Sequence, residues 1–116
     1  MKYSDTQRID KILEYSDMLL EYVKINNLTR RIIEDDHIVQ WTITTPLYNI
    51  GEHAYNLTKE FKEKTPQIQW NLISGLRHRL VHDYDGTNWE VIWDIIQVEI
   101  PELVNQLEQM RGESEI

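Results

Sequence analysis

The sequence predicts an all-α protein, an up-down bundle of four long helices plus a short one. Apolar residues recur at alternating steps of three and four over four separate stretches, the spacing that lines one side of a helix. The segments between them are short and carry cap or turn residues: Asn26-Asn27, Thr65-Pro66 and Asp85-Gly86-Thr87-Asn88. No run of alternating apolar and polar residues reads as a strand. A chain of 116 residues has room for one domain, assigned to residues 1–111, with 112–116 a frayed tail.

Ser4 and Asp5 offer caps to a first helix in which Ile9, Ile12, Leu13, Leu19, Leu20 and Val23 form one apolar stripe. Tyr15, Met18, Tyr22 and Ile25 form a second, so this helix is expected to have two neighbours. Asn26-Asn27 ends it, and Thr29 can cap a short turn through Arg30 to Glu34. From His37 to Lys64 runs the longest helical pattern, with Ile43, Leu47, Ile50, Ala54, Leu57 and Phe61 on its seam. Pro46 should kink this helix, since it lacks a backbone donor and crowds the preceding turn. Gly51 beside the seam would let a neighbouring helix approach closely. Glu52-His53 has the composition of an acid–base pair, but adjacent helical positions point about 100° apart, so structural roles are expected for both.

Thr65-Pro66 reads as a cap followed by proline at the first helical position, opening a helix from Pro66 to Tyr84. After the Asp85–Asn88 turn, Thr87 or Asn88 can cap a last helix. It places Trp89, Trp93, Ile96, Ile100, Leu103, Leu107 and Met110 on one seam and is bent by Pro101.

Twenty acidic against twelve basic residues give a net charge of -8, which argues against broad binding to nucleic acid because the mean field repels phosphate. A local cationic site remains open to it: Arg77, His78, Arg79 and His82 lie close in sequence, with Lys62 and Lys64 upstream. There is no cysteine, which excludes disulfide and thiolate chemistry and fits a reducing cytoplasm. Acidic residues interrupt the first twenty-five positions, so neither a signal peptide nor a membrane span is expected there.

The stretch Leu76-Arg77-His78-Arg79-Leu80-Val81-His82-Asp83-Tyr84 carries the chemistry. On a helical wheel with Leu72 at zero, Leu72, Leu76, Leu80 and Ile73 fall between roughly 0° and 100°, a core stripe. Arg77 falls near about 140° and His82 near about 280°, flanking a second arc that holds Trp70, Ser74 and Val81. Such an arc suits a second surface. If that surface is a two-fold copy, two Arg77 and two His82 meet in one cleft. Cations at a helix C-terminus are also favoured by the dipole alone, and the spacing leaves both readings open.

Arg77, four residues, His82, one residue, Tyr84 is an Arg-x4-His-x-Tyr pattern. Around it stand Ile50-Gly51-Glu52-His53-Ala54, Pro66, Trp70, Ile73 and Gly75-Leu76 upstream, and Gly86, Trp93 and Ile100-Pro101 downstream. In these features the chain resembles the HepT-like toxins of the HEPN superfamily, over residues 5 to 110. The residue after the arginine is commonly Asn in that family and is His78 here, so a role resting on an amide is not carried over.

The resemblance implies a cytoplasmic homodimer that cleaves RNA without metal or cofactor, the toxin of a toxin–antitoxin pair. It implies a composite site with Arg77 and His82 catalytic, His78 and Arg79 in support, and Tyr84 adenylylated by a nucleotidyltransferase antitoxin. The chemistry suits those residue types. Imidazole gives or takes a proton near neutral pH, and guanidinium presents a charged planar fork to phosphate oxygens. Tyr84, near about 120°, would equally serve as packing. The alternative function is a non-catalytic helical subunit that binds a nucleotidyltransferase or a nucleotide. His78 and His82 stand one turn apart and could share a zinc ion, but a third ligand and a His-Glu-x-x-His arrangement are missing, so no metal is expected.

Overall fold

The computed structural model describes residues 2–82 and 86–114, with side chains over 2–80 and 86–112. Its elements are α1 (Asp5–Ile25), α2 (Arg30–Asp35), α3 (His37–Tyr55), α4 (Lys59–Lys64), α5 (Trp70–His82), α6 (Trp89–Asp94) and α7 (Ile100–Ser114). A π-helical segment, Ile95–Glu99, joins α6 to α7 in one continuous rod. Among the described residues there is no strand, and the all-α class stands.

Local chemistry sets the ends of these helices. Ser4 accepts from the Gln7 amide while the Gln7 side chain accepts from the Ser4 amide, a reciprocal box that satisfies two otherwise unpaired donors of α1. Asn26 closes the helix, and Asn27 turns the chain with φ 50°, a left-handed conformation that asparagine tolerates. Thr29 caps α2, Asp36 caps α3 through the amides of Ile38 and Val39, and Asn88 caps α6. Buried Gln40 donates to the carbonyls of Ile33 (2.8 Å) and Glu34 (3.1 Å), sealing the end of α2 onto α3.

The helix expected over 37–64 is two helices. Asn56 closes α3 and Thr58 opens α4, and buried Leu57 anchors the corner between them. A long-range tie holds the corner: Asp5 accepts from the Thr58 amide at 2.9 Å and from its hydroxyl at 2.6 Å. Apolar periodicity carried across this break because the corner residue is itself a core residue. α3 runs unbroken through Pro46. The helix expected from Pro66 begins instead at Trp70, because Thr65 closes α4 and Pro66-Gln67 form a turn. Thr65 is buried, where its hydroxyl accepts from the Trp70 indole at 2.8 Å and donates to the Phe61 carbonyl at 3.0 Å. Near Pro101 the rod widens: the Ile100 amide reaches the Ile95 carbonyl, five residues back, where the proline ring would crowd a regular turn.

α3 is the central helix, packed on α1 along one side and on α5 along another. Its Ile43, Leu47, Ile50 and Ala54 are buried against Ile9, Ile12, Leu13 and Leu19 of α1 and Ile73, Leu76 and Leu80 of α5. Ile92, Ile96, Ile100, Leu103 and Leu107 of the rod complete the core. The second stripe of α1 divides. Tyr15 and Tyr22 are half-buried, while Met18 and Ile25 face solvent in the single chain. Among the described residues no helix is long and apolar enough to cross a membrane.

Candidate functional site

α5 buries a different arc from the one its leucines suggest. Ile73, Leu76, Leu80 and also Trp70 are buried, whereas Leu72 is half-buried. The buried arc therefore runs from about 40° to about 160° on the same wheel, and Trp70 belongs to the chain's own core rather than to a second face. It packs beside Phe61, with ring centroids 6.2 Å apart, and its indole N–H has a partner in Thr65. Of the other members of that expected second arc, Ser74 is half-buried and the side chain of Val81 lies outside the described residues.

The shift of the buried arc places Arg77 at its edge, facing α3 rather than open solvent. Gly51 makes this possible. A Cβ at position 51 would stand 2.8 Å from the Arg77 backbone nitrogen and 3.2 Å from both the Ile73 carbonyl and the Leu76 Cβ. The glycine lets the two backbones touch, as its position beside the seam suggested, and the Arg77 side chain then reaches the last turn of α3.

There Arg77 Nη1 lies 3.6 Å from Glu52 Oε2, and the guanidinium carbon lies 3.8 Å from the centroid of the Tyr55 ring. Glu52 Oε2 is shielded from solvent and has no hydrogen-bond donor among the described residues, so Arg77 meets it as a charge. Glu52 Oε1 accepts from Asn56 Nδ2 at 3.3 Å, which fixes the carboxylate. The Arg77 side chain remains 35% exposed and reachable. Lys62 of α4 closes the other side: its Nζ donates to the Tyr55 carbonyl at 3.1 Å and lies 5.9 Å from the Tyr55 ring centroid. Burial pushes the Lys62 ammonium below its usual range, while Asp5 pulls the other way.

Glu52 and His53 do not form an acid–base pair. His53 points toward α1 instead, where Arg8 Nη1 lies 3.1 Å from its Nδ1. Tyr3 stands edge-on to the His53 ring at 5.2 Å and Tyr15 stacks with it at 6.4 Å. Arginine can only donate, so Nδ1 accepts and the imidazole is neutral. Burial lowers the pKa of this histidine first, and Arg8 and Lys11 lower it further, against a smaller opposing pull from Glu52.

Of the residues singled out in the sequence, Arg77 and Lys62 come together around Tyr55. His78 and Arg79 are exposed. Lys64 is engaged with Glu60 at 3.1 Å. α5 ends at His82, whose side chain lies outside the described residues, as does Tyr84 entirely. Tyr55 and the reach of Glu52 to Arg77 were missed. The available signal was that Glu52 and Tyr55 stand three apart on one face, next to the glycine where another helix comes close.

The chain matches the family model described as Ribonuclease HepT-like over residues 7–110. A protein of Caldanaerobacter subterraneus subsp. tengcongensis, provisionally named an RNase, is 35% identical over 102 residues, covering 88% of this chain and 89% of the relative. A Thermococcus cleftensis protein provisionally named a ribonuclease HepT is 29% identical over 115 residues, 96% and 99% of the two chains. A Methanocaldococcus jannaschii protein, also provisionally named an RNase, is 32% identical over 99 residues, 85% and 80% of the two. No solved structure matches the chain significantly. An all-α bundle with its arginine displayed at the α3–α5 seam, and a family match of this extent, define the class: the chain belongs to the HepT-like ribonuclease family of the HEPN superfamily.

Proposed function

We propose that the protein is the toxin of a toxin–antitoxin pair, a metal-independent endoribonuclease acting as a homodimer. Arg77 and His82 are its catalytic residues, and His78 and Arg79 stand in support. The observation that carries the reading is the placement of Arg77, held at the surface by α3 in a chain of this family, charged and still reachable by a phosphate. In the reaction, a ribose 2′-hydroxyl loses its proton to an imidazole and its oxygen bonds to phosphorus. The bond from phosphorus to the 5′-oxygen breaks, that oxygen is protonated, and a 2′,3′-cyclic phosphate remains. Arg77 stabilises the negative charge that builds on the phosphorane oxygens. Positions 77 and 82 stand about 140° apart on one helix, so a second copy is needed to bring an arginine and a histidine to one phosphate.

Neutralisation falls to a nucleotidyltransferase antitoxin that adenylylates Tyr84. The bulk and charge of the added AMP would then block the site. The test is to express wild type and His82→Ala without any partner and compare growth and RNA integrity, with and without EDTA. Growth arrest and RNA cleavage by wild type alone, indifferent to EDTA, are expected. Cleavage that EDTA abolishes and zinc restores would move the chemistry to a His78–His82 metal pair. Intact RNA and normal growth with both proteins would favour a non-catalytic subunit that binds the nucleotidyltransferase, a reading to which His78 in place of Asn lends support.

A further inference from the structure

We propose that Glu52 and Tyr55 are positioning residues that clamp the Arg77 guanidinium at the α3–α5 seam, an inference that rests on the ribonuclease reading for its catalytic purpose. A long arginine side chain on a helix surface ordinarily samples many rotamers, and ordering it costs side-chain entropy. Here two groups one turn apart on α3 restrict it. The Tyr55 face, 3.8 Å from the guanidinium carbon, fixes the plane of the fork. The Glu52 carboxylate, itself held by Asn56, attracts Nη1 from 3.6 Å.

That distance is the decisive feature. At 3.6 Å the carboxylate supplies charge attraction without taking an N–H in a hydrogen bond, and Oε2 has no other donor among the described residues. Arg77 is thereby oriented while its donors stay available to phosphate oxygens. Tyr55, 52% exposed, keeps its place because Lys62 holds its carbonyl and Gly51 keeps the two helices in touch. The gain from such an arrangement appears when charge develops in the transition state, since a guanidinium already in place needs no reorganisation then.

Two measurements on the full-length protein test the clamp. In protein labelled with 15N-arginine, the Arg77 side-chain signals should lie upfield through the Tyr55 ring current and move downfield in Tyr55→Leu. Their absence from that position in the wild type would overturn the clamp itself. In RNA cleavage, Glu52→Gln keeps the oxygen that accepts from Asn56 and removes only the charge. It should lower kcat by about tenfold while KM changes by less than about threefold, because transition-state alignment and not ground-state binding is lost. Tyr55→Leu should fall similarly, and Tyr55→Phe should recover most of that loss because the ring face is restored.

If Glu52→Gln and Tyr55→Leu both retain kcat within about twofold of wild type, the positioning role is wrong. If Arg77→Ala cleaves as well as wild type, the ribonuclease reading of Arg77 fails and takes the purpose of the clamp with it. That failure is told apart from the first by a ring-current shift that persists in the wild type.

Discussion

The guanidinium carbon of Arg77 on α5 sits 3.8 Å from the centroid of the Tyr55 ring, the last residue of α3. The contact depends on how closely the two helices approach, and that approach is set at Gly51. Gly51→Ala would place a methyl 2.8 Å from the Arg77 backbone nitrogen, an obstacle that no rotamer change relieves. The expected cost is about 1–3 kcal/mol of stability. Gly75→Ala on α5 is the contrast. Nothing lies within 4 Å of its added methyl, so the substitution should be neutral or stabilise by up to about 1 kcal/mol through backbone entropy. Chemical denaturation of the three proteins decides. Equal stability for Gly51→Ala and wild type would mean that the two backbones are not in contact.

His53 makes stability depend on pH in a definite direction. Its folded-state pKa lies below the ordinary 6.5, with burial the main cause and Arg8 and Lys11 adding to it. A depressed histidine pKa means that the unfolded chain binds the proton first, so stability is fully present above about 6.5 and is lost as pH falls from there through the folded value. Arg8 Nη1, 3.1 Å from Nδ1, would then face a like charge. Thermal unfolding between pH 8 and 5 should show a falling Tm for wild type. His53→Gln keeps an acceptor for Arg8 and should flatten that part of the profile. The same slope in both proteins would assign the effect to other groups.

Much of the fold was legible because it rests on short-range rules. Ser4, Thr29 and Asn88 cap the helices that their positions announce, and the Asn26-Asn27 corner lies where its residues suggest. The failures share one cause. Leu57 continues an apolar period across a break that Asp5 enforces from fifty-three residues away, a tie that periodicity does not register. Trp70 reads as surface on a wheel centred on leucines, but Thr65 supplies a buried partner for its indole and draws it into the core. For the site, the motif supplied Arg77. The groups that hold it come from α3, and no local pattern states which helix that arginine will face.

The proposal of a dimer rests on the angular problem on α5 rather than on an apolar arc there, since Trp70 is internal. Exposed apolar side chains lie elsewhere, among them Met18 and Ile25 on α1 and Ile38 and Trp41 on α3. If a composite site forms, the protein should run in light scattering at twice its 14.0 kDa chain mass at micromolar concentration. Mixing Arg77→Ala with His82→Ala should then recover part of the cleavage, because mixed dimers retain one intact histidine and one intact arginine. A stable monomer that still cleaves RNA would remove the need for a second copy.

Tyr84 stands two residues beyond His82 in the sequence, a separation that the covalent chain can stretch to no more than about 7 Å between their Cα atoms. If the antitoxin silences the enzyme by transferring AMP from ATP, the tyrosine oxygen attacks the α-phosphorus, pyrophosphate leaves, and a phosphodiester-linked nucleotide remains beside the site. Its charge and bulk compete with the RNA phosphate. Tyr84→Phe keeps the ring and loses only the acceptor oxygen, so it should cleave RNA much as wild type does and escape neutralisation when the partner is present. Mass spectrometry of protein co-expressed with the partner should find adenylate on the peptide containing Tyr84. Two outcomes would count against the switch. A Tyr84→Phe protein as inactive as His82→Ala would place the hydroxyl in catalysis or folding. Adenylate on Tyr55 would instead put the partner at the Arg77 clamp, where a nucleotide on the half-exposed ring would displace the guanidinium directly.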